Sequence, residues 1–418
     1  GNYDICVVFV ERGLELTSNS GQLAYILSHK FFNAKYGEPI RELLSGGGHL
    51  RHVVHFGDQQ VFPGATNYVC LLFLAKAGVK ECLWCQVDDL DTWLSSFSGK
   101  KRAVSQERFT RSEWNVVVGR QTRLFEKLSK IPLHLEQVAS RIFQGLKTGA
   151  DKAYILQSIC ADRDRCRIYS PLSDSELELE TDLLHPLIKG GDGKRFSIAN
   201  TRRLILFPYR KELAGSVSLI SPPIMQKEYP LTWAYLEANR AYLEAREHGK
   251  MKHKEWYGYT RVQALDVVSM PKLFTPDISP IASFSFDETG EFFFTGGVSG
   301  GYGILLDPPF VPEFVLGLLN SRLLDFFLHS IGTQMRGGWY SYEARFIRRL
   351  PVRKLDPSDK SEAALHSELV KLVKRILKAK EVDQSADTEN LEREIDERVY
   401  RLYGLTKDEI KVVEEGRG

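Results

Sequence analysis

Three apolar runs in the first 80 residues limit the fold more than any other feature: QLAYILS (22–28), LRHVVHF (50–56) and YVCLLFLAK (68–76). Each reads as a strand. Apolar residues at helical spacing over 3–16 (YDICVVFVERGLEL), closed by SNSG, predict a helix before the first run, and a second helix is expected over 36–45. A loop, GDQQVFPGATN, separates the last two strands, which are near enough in sequence to pair antiparallel. Helix, strand, helix, strand, loop, strand is the closing part of an α/β sheet, and three strands leave that sheet incomplete. From 81 to 135 the pattern weakens into a polar connector.

Short strands alternate with helices and Gly or Pro turns over 136–355, predicting a mixed α/β domain. Within it, 228–248 (EYPLTWAYLEANRAYLEAREH) reads as one helix started near Pro230. LPVRKLDPSDK is a linker. In the last segment, 356–418, AALHSELVKLVKRILKAKE and NLEREIDERVYRLYG read as two amphipathic helices, and TKDE (406–409) as a capping box opening a third.

The composition, 43% apolar and 26% charged, excludes a disordered chain or a fibre. No apolar run approaches the ~18 residues of a membrane span and no export signal is visible, so a cytoplasmic protein without a membrane partner is expected. Residue 1 is Gly rather than Met, as in a chain that starts inside a longer protein. The six cysteines lie mostly in apolar settings, which points to reduced thiols. Cys82 and Cys85 have a metal-like spacing, but three positions apart in a strand face opposite sides, and no second such pair follows. No metal is expected.

The net charge of +2 rules out a polycation, yet 336–354 (RGGWYSYEARFIRRLPVRK) holds six Lys or Arg against one Glu, interleaved with aromatics. Basic groups neutralise phosphates and aromatics stack on bases. Arg336, Trp339, Tyr340 and Tyr342 are therefore candidate DNA contacts, Arg336 having the fork to grip a guanine, with a solvated edge carrying a few core aromatics as the competing reading of the run. GLKTGADK sets Lys147, Thr148 and Lys152 around two glycines, a composition suited to a phosphate loop or, equally, to a hairpin turn with solvated lysines. His29, His55 and His185 lack a Ser or Cys nucleophile elbow and read as structural groups. No nuclease core, an Asp with Glu-x-Lys, is evident.

The ordered set YDICVVFVERGLEL, GQLAYILSHKFF, LRHVVHFGDQQVFPGATNYVCLLFL, RIFQGLKTGADKAYIL, LLHPLIKGGDGKRF, FVLGLLNSRLLDFFL and IRRLPV resembles the gamma-class N6-adenine DNA methyltransferases, TaqI-like and type IIG restriction-modification enzymes included. The resemblance spans nearly the whole chain and implies four segments. Residues 1–80 correspond to the distal strands of a Rossmann-like methyltransferase sheet and 81–135 to a connector. Residues 136–355 correspond to a target-recognition domain of mixed α/β fold, and 356–418 to a helical tail. It also implies S-adenosyl-L-methionine as the parent enzyme's cofactor and duplex DNA as partner. The cofactor-binding turn and the Asn-Pro-Pro-Tyr loop would lie upstream, in a missing catalytic half on the same parent chain or on a separate subunit. No cofactor is then expected on this chain. A non-catalytic DNA specificity subunit is the alternative.

In amino-methylating DNA methyltransferases more widely an Asp-Pro-Pro-aromatic loop can hold a flipped base, and GILLDPPF (303–310) has that form after the Gly-rich FTGGVSGGYG (294–303). Cofactor turn and catalytic loop need a βαβ unit of ~30 residues between them, and only a handful intervene. Asp307 therefore ends a strand, Pro308 and Pro309 turn the chain, and Pro312 starts a helix.

The resemblance implies a base-stacking aromatic after the sheet, for which Phe62 fits best and Tyr68 second; core packing is the competing reading for both. It implies that Lys189, Lys194 and Arg195 of IKGGDGKRF sit on a loop entering a DNA groove. Finally, QLAYILS would pair with the strand bearing the catalytic tetrapeptide. With that neighbour missing, its edge is expected to be masked by another chain, by a crystal neighbour or by the protein's own connector.

Overall fold

The computed structural model describes residues 3–416 apart from Thr66, 213–214, Val298 and Pro357. Thr66 and Val298 belong to two of the loops singled out above and lie outside the described residues. The chain forms two compact units, one made of Gly1–Lys130, His329–Trp339 and Glu415–Gly418, the other of Ile131–Leu328 and Tyr340–Glu414.

In the first unit, helix α1 (Cys6–Leu16), strand β1 (Gln22–Ser28), helix α2 (Glu38–Gly46) and strands β2 (Leu50–His55) and β3 (Val69–Ala75) follow in the predicted order. β3 lies between β1 and β2 and runs against both, Leu72 standing opposite Tyr25 on one side and Val53 on the other. The sheet does not end there. The expected connector supplies β4 (Glu81–Gln86), parallel to β2, then helix α3 (Leu90–Ser96) and β5 (Lys100–Ser105), antiparallel to β4. Among the described residues the order is β1-β3-β2-β4-β5. The boundary expected at 80/81 therefore falls inside a sheet, and the division comes after Lys130. The sequence of β5, KKRAVS, hides its strand character, because a charged margin strand buries only Val104.

Both faces of this sheet carry a core. Val10 and Leu14 of α1 and Ile40 and Leu44 of α2 pack on Val53, Leu72, Cys82 and Trp84. The opposite face joins Val54, Val69 and Cys85 to Trp93 of α3. Cys82 and Cys85 thus sit in different cores, as the two-residue period of a strand requires.

β1 ends the sheet, with β3 as its single neighbour among the described residues. Of its side chains only Leu27 is buried, and Ile26 is 46% exposed. The connector extends the opposite margin, so it does not mask β1. Beside it, Phe9 and Leu16 of α1 and Ile5 just before it are exposed.

The second unit contains two larger sheets, a mixed one of six strands and an antiparallel one of four. One orders its strands 293–294, 184–188, 203–206, 155–161, 165–170, 175–180; the other 285–287, 272–276, 301–306, 139–144. The single helix expected over 228–248 is broken into Pro230–Ala238 and Arg240–Glu244, separated at Asn239, and the turn that follows, Arg246–Gly249, is left-handed at Glu247 and His248. As expected, Asp307 follows a strand, Gly301–Leu306, and Pro312 opens a helix. That helix stops at Leu319, and Arg322–Ile331 leaves at 62°. The break is specified by Asn320, whose amide exchanges two hydrogen bonds with the backbone of Phe284 at 2.8 and 2.9 Å. No single helix among the described residues is long and apolar enough to cross a membrane.

The tail is part of this second unit. Helix Lys360–Val382 buries Leu369, Leu372, Val373 and Ile376, with Val373 closing on Gly317 of the 312–319 helix. Helix Glu389–Leu402 follows. At the third helix the predicted capping box is present: Glu409 accepts from the Thr406 N–H at 2.8 Å, and Thr406 Oγ1 accepts from the Glu409 N–H at 3.2 Å.

Candidate nucleic-acid interface

Strands β1, β2 and β4 run in one direction, so the segments after Ser28, His55 and Gln86 emerge at one margin of the first unit. In open α/β sheets, ligands bind outside the carboxyl ends of such strands. Phe62 stands on this margin in the loop from β2 to β3. Val61 packs into the core below, while Phe62 is turned outward, 46% exposed. A tight turn fixes it. The Ala65 N–H donates to the Phe62 carbonyl at 3.2 Å, with Pro63 first in the turn and Gly64 at φ 77° second, a geometry that admits glycine there.

Tyr68 ends the same loop and is half-buried. Its carbonyl accepts from the His29 N–H at 3.2 Å, and its ring stacks near the His29 imidazole with centroids 6.3 Å apart. His29 contacts the Gly57 carbonyl through Nε2 at 3.2 Å and lies 4.2 Å from the His55 ring, whose Nδ1 accepts from the Gly57 N–H. Burial pushes the pKa of both imidazoles down, so the pair is a neutral platform beneath Tyr68. The two histidines are structural, as their sequence setting implied.

Tyr68 also meets a group the sequence placed elsewhere. Its hydroxyl oxygen accepts from the backbone N–H of Arg336 at 3.2 Å. Beyond Arg336, Gly337 and Gly338 are both left-handed and lead to Trp339, which is 43% exposed. A basic side chain and an aromatic face are thus presented together at the tip of one loop. The rest of this candidate group divides. Tyr340 is half-buried and pairs across strands with Ser279. Tyr342 is fully buried, its hydroxyl donating to Asp325 Oδ1 at 2.9 Å. It is a core residue, and its candidacy as a DNA contact is withdrawn.

In the second unit, two of the loops singled out by sequence meet the Gly-rich segment. The Leu146 N–H donates to Phe294 and the Gly296 N–H to Leu146; the Gly190 N–H donates to Ser299. Lys147 and Lys189 are half-buried here, and Lys152 and Lys194 are exposed. Two expected contacts are corrected. Thr148 is buried, donating to Asp151 at 2.6 Å and accepting from the Ala150 N–H at 3.0 Å, so its hydroxyl is spent on the turn. Arg195 pairs with Glu392 of the tail and donates to the Ala282 carbonyl at 3.2 Å, which makes it a clamp within the unit. A residue that the sequence did not single out, Asp277, lies in the same cluster: its N–H donates to Gly300 and its carbonyl accepts from Tyr342. No motif surrounds it in the sequence.

With this geometry established, likeness to known proteins is informative. The family described as Eco57I restriction-modification methylase matches residues 1–62. The chain is 24% identical over 427 residues to the type II restriction enzyme and methyltransferase RM.Eco57I of Escherichia coli, covering 97% of this chain and 42% of that protein. It is 22% identical over 435 residues to the type II methyltransferase M.BstVI of Geobacillus stearothermophilus, covering 99% and 69%. In fold it is similar to the type IIL restriction-modification enzyme MmeI, solved in complex with DNA, with a TM-score of 0.59 at 13% identity over 98% of this chain and 51% of that one. The chain therefore spans less than half of RM.Eco57I and about half of MmeI. On these matches the chain is similar to the Eco57I-like restriction-modification methylases, through the family itself over residues 1–62 and through the two enzymes above over nearly its whole length.

Proposed function

We propose that this chain reads a specific sequence in duplex DNA as the recognition-bearing part of a restriction-modification adenine-N6 DNA methyltransferase. In the whole enzyme, S-adenosyl-L-methionine methylates the exocyclic amine of an adenine drawn out of the duplex. The observation that carries this reading is Phe62, an aromatic face held outward by a tight turn at the carboxyl margin of the sheet. Extruding a base loses a few kcal/mol of stacking, and such a face returns part of it. Arg336 and Trp339 supply charge and a second aromatic surface, and Lys147, Lys152, Lys189 and Lys194 supply phosphate contacts.

The Gly-rich run 294–303 does not fit the methyl donor. Gly296 and Gly300 have committed their N–H groups to Leu146 and Gly297, and the run continues into strand Gly301–Leu306 rather than a helix. A dinucleotide-type cradle needs free amides at a helix start. No step is therefore assigned to that run. The donor-binding strands come instead from a segment that pairs along β1, whose outer edge and the neighbouring exposed Ile5, Phe9 and Leu16 support such a joint.

The test is duplex binding as salt is raised from about 50 to about 200 mM. Several phosphate contacts give a steep log–log fall in affinity. Binding that is absent, or indifferent to salt, overturns the proposal.

A further inference from the structure

The segment 256–263 is tied to the loop 145–149 at several points. The buried Arg246 guanidinium donates to the carbonyls of Leu243, Thr148 and Trp256 at 2.7, 2.8 and 2.5 Å. The Thr260 N–H donates to the Thr148 carbonyl at 3.3 Å, and the Gln263 amide to the Gly145 carbonyl at 2.8 Å. The two backbones approach so closely that a Cβ on Gly149 would lie 2.2 Å from Thr260 Cγ2. Between these anchors Arg261 and Val262 are exposed, so a fixed backbone carries a tip that stands in solvent.

Where the two segments meet, an antiparallel bridge sets Lys147 directly opposite Arg261. Opposed residues of such a bridge send their side chains to one face with Cβ atoms roughly 5 Å apart, and like charges in that position are destabilising. The fold does little to offset them. Arg261 meets Glu247 only at 3.6 Å, with both side chains largely in water, and such exposed pairs contribute little. The Lys147 ammonium reaches over Gly297, where an added Cβ would lie 3.9 Å from Nζ. Asp277 is within electrostatic reach of Lys147, yet its Oδ1 takes no hydrogen bond.

Two opposed cations on one accessible face are satisfied by an anion that both can reach. They repel a metal ion, and a neutral group leaves their opposition in place. The surface beside them is glycine backbone at Gly296 and Gly297, which has no side chain to keep a broad ligand away. An exposed tip beside bare backbone suits an anion that is part of a large rigid body. We propose that Lys147 and Arg261 together grip one phosphodiester of duplex DNA, the lysine as a point charge and the arginine through its fork. The assignment rests on the DNA-reading function proposed above and adds Arg261 to it. Because the backbone at Arg261 is fixed, the gripped phosphate sets the register in which the neighbouring loops meet the bases.

The experiment measures duplex binding in graded salt for the 418-residue chain and its Lys147→Gln, Arg261→Gln and doubly substituted variants, with thermal unfolding of each at low salt without DNA. A phosphate neutralised once releases its counterions once, about 0.9 in the log–log slope. K147Q and R261Q are each expected to weaken binding several-fold and to keep the wild-type slope, whereas K147Q/R261Q lowers the slope by about one. K147Q/R261K, which keeps one cation, retains the slope. Removing either charge relieves the opposition, so the unfolding temperature of each single variant holds or rises. Slopes that fall by about one in each single variant and about two in the double put the cations on separate phosphates; that result overturns the shared grip and leaves the DNA-reading function standing. A double variant with the wild-type slope also overturns the grip alone. An R261Q chain with unchanged affinity and a lowered unfolding temperature marks Arg261 as a structural partner of Glu247 and overturns it too. A wild-type chain that binds no duplex overturns both.

Discussion

The backbone N–H of Arg336 donates to the phenolic oxygen of Tyr68 at 3.2 Å, joining residues 268 positions apart. This bond holds the base of the loop that carries Trp339. Tyr68→Phe removes the acceptor and keeps the ring, so stability should fall by only about 0.5–1.5 kcal/mol. Duplex affinity should drop a few-fold with an unchanged salt slope. Arg336→Ala should differ, either lowering that slope by about one or relaxing preference at one base pair. Titration in graded salt separates the two variants.

Phe62 faces outward, so Phe62→Ala should leave the unfolding temperature within a degree or so of wild type, surface changes costing at most ~0.5 kcal/mol. Base capture should suffer. Stacking on an aromatic is worth about 1–3 kcal/mol, and the fluorescence rise of 2-aminopurine at the target position, measured with the donor-binding segment present, should be reduced in F62A and retained in F62W.

Three candidate contacts from the sequence should respond in opposite ways. Tyr342→Phe takes the phenolic donor from Asp325, and Arg195→Ala takes the cation from Glu392, leaving it the Thr388 hydroxyl; each should cost about 1–3 kcal/mol in denaturant unfolding. Lys194→Ala touches no such partner and should leave stability alone while reducing the salt slope of duplex binding by about one.

His185 lies edge-on to Phe293 with centroids 4.1 Å apart, and burial lowers its pKa to about 4. Between pH ~6.5 and ~4 the unfolded chain takes up a proton there that the folded chain refuses. Stability from this group is therefore complete above ~6.5 and is lost as pH falls, by roughly 3 kcal/mol at most. His185→Phe should unfold at increasingly higher denaturant than wild type as pH drops through that window. Parallel profiles for the two proteins would sink the assignment.

Ile26 is exposed on the outermost strand. Ile26→Lys should be nearly neutral for the chain alone, yet it sets a charge on the edge proposed to receive another strand. Co-purification with a separately expressed donor-binding segment should fall sharply, with circular dichroism unchanged.

The sequence disclosed elements whose apolar rhythm is strong, including α1 through β3 and the capping box at Thr406, because burial of one face leaves a periodic trace. It concealed β5, whose KKRAVS buries one residue, and the break at Asn320, where the partner that rewards the kink, Phe284, is remote. The candidate contacts were legible as composition only. Trp339 and Tyr342 are both aromatics in a basic run, and what separates them is Asp325, distant in sequence. Arg195 is a clamp because of Glu392, 197 positions away. Arg261 went unmarked, since the bridge that sets it opposite Lys147 joins segments remote in sequence.

β3 is made after β1 and β2 yet occupies the place between them. Neither earlier strand bonds to the other in the folded sheet, so a nascent chain released only as far as the loop at Phe62 lacks the partner of both. Completion of Val69–Ala75 welds them in one event, and every ladder hydrogen bond of β1 waits on it.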